Sequence, residues 1–204
     1  MTSKVFGMLR SLALAAIVAA FAFHGAGAKA APLQTAVFAG GCFWCMEYDM
    51  KAIPGVVSVE SGYTGGTLKN PTYQDVLTEK TGHYESVRVR FDPDKIDYAG
   101  LLKRYWKLVD PTDAGGQFCD RGPSYRSAIF VNGAEQRRIA EASRAVAAKQ
   151  LKHGRMTTQI LPLGAFWPAE EYHRDYARRN KAAYAAYRAG CGRDRRLAAV
   201  WGVG

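Results

Sequence analysis

Apolar and polar residues alternate from Thr35 to Ala39, break at Gly40-Gly41, and give way to a helix-compatible run from Cys42 to Lys51 that Pro54-Gly55 ends. The pattern predicts a strand, a tight turn and a helix. Val56 to Tyr63 alternates again, with Val57, Val59, Ser61 and Tyr63 on one face and the turn at Gly65-Gly66 closing it, so a βαβ unit is expected. In a third strand, His83 to Phe91, Glu85 lies on the same face as Val87, Val89 and Phe91, while Ser86, Arg88 and Arg90 point the other way. A carboxylate thus shares an apolar face. Tyr98 to Val109 is amphipathic up to Asp110-Pro111, and Thr112 to Pro123 reads as a glycine-rich loop. Ser127 to Val131 is a strand, Ala134 to Leu151 helical, Thr157 to Leu163 extended, and Ala169 to Ala189 helical. The alternation describes a sandwich of a mixed sheet and helices.

The amino terminus obeys a different pattern. Lys4 and Arg10 precede an uncharged apolar run from Ser11 to Phe23, and Ala26-Gly27-Ala28 and Ala28-Lys29-Ala30 offer small residues at cleavage-site spacing. The run falls short of the roughly 20 residues of a spanning helix. Residues 1–30 are therefore expected to be a signal peptide cleaved after Ala28 or Ala30, with export to the periplasm and no stable membrane insertion afterwards. The remainder, about 175 residues, suits one catalytic domain spanning 31–204, expected as a monomer with a flexible tail from about 190.

The net charge of +10 raises the question of a nucleic-acid partner. The late basic residues Arg174, Arg178, Arg179, Lys181, Arg188, Arg193, Arg195 and Arg196 carry no nucleic-acid-binding signature, so a solvated basic face is expected and no nucleic acid. Two structural disulfides would also be ordinary for the four cysteines of an exported chain. Their placement argues otherwise. Cys42 and Cys45 are spaced Cys-x-x-Cys at a helix start, where unpaired amides and the dipole favour a thiolate, and Cys42 is the candidate nucleophile. Zinc would need ligands recruited one by one from Cys119, Cys191, His83 or His173, so no metal is expected.

A longer string is more specific. Gly41-Cys42-Phe43-Trp44, Pro54-Gly55-Val56, Gly62-Tyr63-Thr64-Gly65-Gly66, Asn70-Pro71-Thr72-Tyr73 and Thr81-Gly82-His83-Tyr84-Glu85 follow in order, with Asp120-Arg121-Gly122-Pro123-Ser124-Tyr125-Arg126-Ser127 and Ala169-Glu170-Glu171-Tyr172-His173 downstream. From about Thr35 to Tyr176 the chain resembles the A-type peptide methionine sulfoxide reductases. The resemblance implies an α+β two-layer sandwich related to the ferredoxin-like arrangement, and reduction of methionine S-sulfoxide, free or in proteins. It implies Cys42 as attacking cysteine, Phe43 and Trp44 as the pocket for the substrate methyl, Glu85, Tyr63 and Tyr125 around the sulfoxide oxygen, and Asp120 behind them. No bound cofactor is implied, only an external thioredoxin-like dithiol.

The chemistry also follows from the residues. A sulfoxide oxygen leaves poorly unless protonated, and Glu85, desolvated on an apolar face, would keep a proton to deliver. The sulfenic acid left on Cys42 then needs a second thiol. Cys45, a position where many members of the family carry glycine, qualifies by proximity, and Cys191 by its Gly190-Cys191-Gly192 setting. Cys119 reads as an inert loop thiol, and His173 as a helix-surface residue outside the catalytic set. The alternative function is a thioredoxin-like disulfide oxidoreductase using Cys42 and Cys45, and a basic binding module is the third. Neither has any use for Glu85.

Overall fold

In the computed structural model, which describes residues 31–202, β1 (Gln34–Ala39) lies antiparallel to β3 (Tyr84–Phe91), and β3 antiparallel to β2 (Val56–Thr64). β1 and β2 are therefore parallel, joined by α1 (Phe43–Lys51), with β3 inserted between them. The expected βαβ unit is present in this split form. Residues 1–30, expected to be a signal peptide, lie outside the described residues.

β6 (Ala128–Val131) adds antiparallel to β1, and β7 (Gln159–Pro162) parallel to β6 after the crossover helix α4 (Gly133–Gln150). β8 (Trp167–Pro168) closes the other edge on β2, giving the order β7-β6-β1-β3-β2-β8. Alternation sorts the two faces. Ala36, Phe38, Val87, Val89, Phe91, Ile129 and Val131 bury themselves against α1, α3 (Tyr98–Trp106) and α4. Val37, Ala39, Ala128 and Phe130 face the opposite side, covered by Leu161, Leu163 and Phe166. The result is a two-layer α+β sandwich, each large apolar side chain buried on the helical face being worth about 1.5–3 kcal/mol.

Four expectations are corrected. Val57 does not share the inward face of β2: pairing steps from Val56↔Phe91 to Ser58↔Arg90, and this bulge leaves Val57 55% exposed. The stretch from Ala169 to Ala189 is not one helix. It divides into a 3-10 turn (Glu171–His173), α5 (Tyr176–Arg179) and α6 (Lys181–Gly190), because Asp175 adopts φ 53° and gives its amide to the carboxylate of Glu47 on α1. The glycine-rich loop is also more ordered than its composition suggests, holding the short ladder β4 (Gly116–Gln117) and β5 (Asp120–Arg121) and a 3-10 turn at Pro123–Tyr125.

The fourth correction concerns the carboxyl terminus. In place of a flexible tail, α7 (Arg193–Trp201) buries Leu197, Val200 and Trp201 in the main core, and Trp201 Nε1 donates to the carbonyl of Val109 at 3.1 Å. The basic face divides accordingly. Arg178, Arg179 and Lys181 are exposed, but Arg188 pairs with Asp49 and Asp194, and Arg193 is 1% exposed.

Candidate active site

Between β1 and α1 the chain has room only for glycines. A Cβ on Gly40 would lie 2.6 Å from the sulfur of Met46 and 2.7 Å from Val109, and Gly41, at φ +79°, would bring one within 2.6 Å of Gln117. This turn presents Cys42 as the N-cap of α1, with the amide of Phe43 pointing across to β3, where it donates to Oε2 of Glu85 at 2.9 Å. Glu85 lies on the helical face, as its alternation requires, 3% exposed. Burial pushes its carboxyl up to about 8 against the pull of the Phe43 amide, with the charge of Asp120 adding to the rise. An acid protonated at neutral pH thus sits one residue from the sulfur.

The expectation of a thiolate on Cys42 needs correction for the substrate-free protein. Burial raises this thiol well above the usual range, aided by its hydrogen bond to Cys45 and the negative charge of Glu85. The nearest helix amide serves the carboxyl instead of the sulfur. Cys45 goes the other way, lowered to about 7, because the hydrogen bond from Cys42 outweighs burial and the cations Arg193 and Arg188 and the hydroxyl of Tyr184 assist. Of the two sulfurs, Cys45 is the one that carries charge.

The two tyrosines expected at the sulfoxide oxygen have different fates. Tyr125, half-buried at the end of its 3-10 turn, shares a hydrogen bond with Tyr73, and both lie beside Glu85. Tyr63 pairs with Glu85 in the ladder but is fully buried, and its hydroxyl donates to Glu170 at 2.8 Å. That leaves it no proton to offer. Glu170 also accepts the amide of Tyr73 at 2.7 Å, tying Tyr73 to the front of the site. Tyr73 is the residue that sequence reasoning missed; its signal lay in the Asn70-Pro71-Thr72-Tyr73 string.

Aromatic rings wall the other side. Trp44 stacks on Tyr176 with centroids 3.7 Å apart and donates Nε1 to Nδ1 of His173 at 3.1 Å. His173 is buried rather than on a helix surface, and its ring meets Phe43 at 4.9 Å and Tyr73 at 4.4 Å. Burial lowers its pKa, which favours the neutral ring that the Trp44 bond requires. Asp120 accepts the hydroxyl of Tyr187 on α6 at 2.7 Å and the amide of Cys42, and burial raises its pKa.

Cys119 is not an inert thiol: it is disulfide-bonded to Cys191. This bond joins the β4–β5 hairpin to the α6–α7 turn. Ligand atoms of Cys119, Asp120 and Cys191 lie within 4.8 Å of one another, but with the sulfurs joined they offer a metal no pair of thiolates. Cys42 and Cys45 are free.

A nucleophile, an acid and an aromatic wall now stand together, and the family model described as peptide methionine sulfoxide reductase matches residues 34–203. The chain belongs to this family. It is 66% identical to peptide methionine sulfoxide reductase MsrA 2 of Caulobacter vibrioides, over 96% of this chain and 100% of that one. Against MsrA of Bacillus licheniformis the identity is 49%, covering 83% and 94%. Methionine sulfoxide reductase A of Corynebacterium diphtheriae superposes with a TM-score of 0.65 at 34% identity, over 73% of this chain and 76% of that one.

Within this family member, Cys42, Phe43, Trp44, Glu85, Tyr125 and Asp120 fall into one cluster, and Tyr63 lies behind it as a brace. The division has a kinetic consequence. Tyr73→Phe is expected to slow the first turnover by about 10²-fold to 10³-fold, the scale of a lost donor to a developing oxyanion, and Tyr63→Phe by much less. Rapid-quench measurement of methionine formation distinguishes the two, and a larger loss for Tyr63→Phe would reverse the assignment.

Proposed function

We propose that the chain reduces methionine S-sulfoxide, free or in proteins, with the buried Glu85, bonded to the amide next to Cys42, as the observation that carries the reading. The substrate methyl enters the wall of Phe43 and Trp44, and the oxygen is directed to Glu85, Tyr73 and Tyr125. As Cys42 attacks, Glu85 gives its proton to the oxygen and recovers one from the thiol. In net, the sulfur–oxygen bond of the substrate breaks and one forms on Cys42: methionine leaves, reduced by two electrons, and Cys42 becomes a sulfenic acid, oxidised by two.

Cys45 then attacks the sulfenic sulfur, the S–S bond forms, and hydroxide leaves with the proton of Cys45 as water. A regular helix would hold the two Cβ atoms about 5–6 Å apart, too far for a disulfide. Cys42, however, is the N-cap, with φ −46° and ψ 118°, outside the helix, and this favours closure. Cys191, bonded to Cys119, is the weaker candidate. An external dithiol of thioredoxin type would restore Cys42 and Cys45. The rival reading, a general disulfide oxidoreductase using the same pair, gives no task to the buried acid or to the aromatic wall.

Localisation rests on the sequence of residues 1–30, whose charged start, apolar run and small-residue sites support cleavage and export to the periplasm. N-terminal sequencing of exported material is expected to begin near Lys29 or Ala31; intact Met1 in the membrane fraction would favour an anchor instead.

Assays with the separate epimers are expected to show reduction of the S form and essentially none of the R form, since one chiral pocket must place methyl, oxygen and sulfur together. Single-turnover rate is expected to fall as pH rises through about 8, where Glu85 loses its proton, and Glu85→Gln to lower the rate by about 10²-fold or more and remove that limb. Equal rates on both epimers would refute the pocket, and an unchanged Glu85→Gln rate would refute the acid.

Mass spectrometry after one turnover is expected to find a Cys42–Cys45 linkage with Cys119–Cys191 intact. A dominant Cys42–Cys191 linkage, with Cys45→Ser cycling at full speed, would make Cys45 a bystander.

A further inference from the structure

The largest fully buried side chain among the described residues is a cation, Arg193. It is the first residue of α7, two positions after the Cys119–Cys191 disulfide. Its guanidinium runs beneath the turn that carries the cysteines: Nη1 donates to the carbonyl of Gly40 at 3.3 Å, and Nη2 to the carbonyl of Leu108 at 2.6 Å and to the sulfur of Met46 at 3.4 Å. Its plane lies over the ring of Phe118 at 4.4 Å. Nε lies 3.6 Å from Asp49 but makes no hydrogen bond, and Asp49 also serves Arg188 at 2.9 Å. Gly40 and Met46 bracket the two cysteines, so the charge is aimed at the motif from below.

A buried cation is costly unless it is compensated. One carboxylate shared between two arginines compensates only part of it, and a negative sulfur nearby would compensate more. We propose that Arg193 is a positioning residue for the disulfide-forming step: its buried guanidinium holds the Cys45 sulfur as a thiolate, ready to attack the sulfenic acid on Cys42. This rests on the reading of Cys45 as the resolving thiol. The groups facing Cys45 are Cys42 at the N-cap, Glu85 on β3, Tyr184 and Arg188 on α6, and Arg193 on α7. Glu85 is neutral at working pH, which leaves one anion, Asp49 one turn further along α1, against the cations Arg188 and Arg193 that pair with it. The step balances: Cys45 sulfur and Cys42 sulfur join, the S–O bond breaks, and the leaving hydroxide becomes water by taking up the proton that Cys45 had released to solvent.

The experiment uses the full mature protein and separates two rates: methionine formed in the first turnover, which needs no resolving thiol, and closure of the Cys42–Cys45 disulfide. Arg193→Met is expected to leave the first rate unchanged and slow the second by about threefold to tenfold at pH 7. The smaller thiolate fraction is partly offset by the greater nucleophilicity of a more basic sulfur. Arg193→Lys, which keeps the charge, is expected to recover part of the loss. A second measurement uses Cys42→Ala with the second disulfide intact, where Cys45 is the sole thiol and the hydrogen bond from Cys42 is gone: the titration of the Cβ resonance of Cys45 is expected to move up when Arg193→Met is added and to stay near the parent when Arg193→Lys is added. A Cys45 titration unmoved by Arg193→Met, or closure at the wild-type rate in folded Arg193→Met, overturns the proposal. Absence of any Cys42–Cys45 linkage in wild type removes the reading beneath it, and this proposal with it.

Discussion

The hydrogen bond from the amide of Phe43 to Glu85 joins the start of α1 to the central strand of the sheet, and the site is arranged around it. It needs a helix that begins where β1 ends, hence the two glycines whose missing side chains make room for Met46, Val109 and Gln117. It needs a carboxyl buried at the end of an apolar stripe, hence β3 between β1 and β2 rather than at an edge. The bond also divides electrostatic labour. An amide that would otherwise stabilise a thiolate on Cys42 orients the acid, so Cys42 rests as a thiol and waits for a substrate oxygen to take up the proton.

That arrangement makes the two cysteines unlike despite their spacing. Cys42 looks toward carboxyls, Glu85 and Asp120, and its proton is retained. Cys45, further along the helix, looks toward α6 and α7, where tyrosine and arginine side chains favour its charge. One helix start thus holds a thiol for the oxygen-transfer step and a more acidic thiol behind it. Helix dipole alone would have ranked them the other way, and burial beside carboxyls decides the order.

Much of this was legible in the sequence because it depends on period and local chemistry. Period two put Glu85 on the face of Val87, Val89 and Phe91, and Gly40-Gly41 marked the turn before Cys42. What the sequence hid were tertiary pairings. Nothing local to Tyr63 says that its hydroxyl meets Glu170, 107 residues away, or that Tyr73 takes the forward position. His173 read as a surface residue because its segment read as one helix; the break at Asp175, made by Glu47 across 128 residues, turns the ring inward. The Gly190-Cys191-Gly192 setting suggested motion, whereas Cys191 is bonded to Cys119 and followed by a buried helix.

The carboxyl-terminal elements therefore do more than cover a face of α1. α6 brings Tyr187 to Asp120, the disulfide fixes the following turn to the hairpin beside Asp120, and α7 places Arg193 under Gly40. Each link reaches the motif from a different side, and the first and last are made by polar groups that would be costly to leave buried and unpaired. Such links are specific in geometry where apolar contacts are permissive: a shift of α7 that preserved the burial of Leu197 and Trp201 would still break the contacts of Arg193 with Gly40 and Leu108. The position of Cys45 relative to its cations is thus held by hydrogen bonds anchored in the last helix, and the apolar core beneath supplies the rigidity that makes those bonds hold.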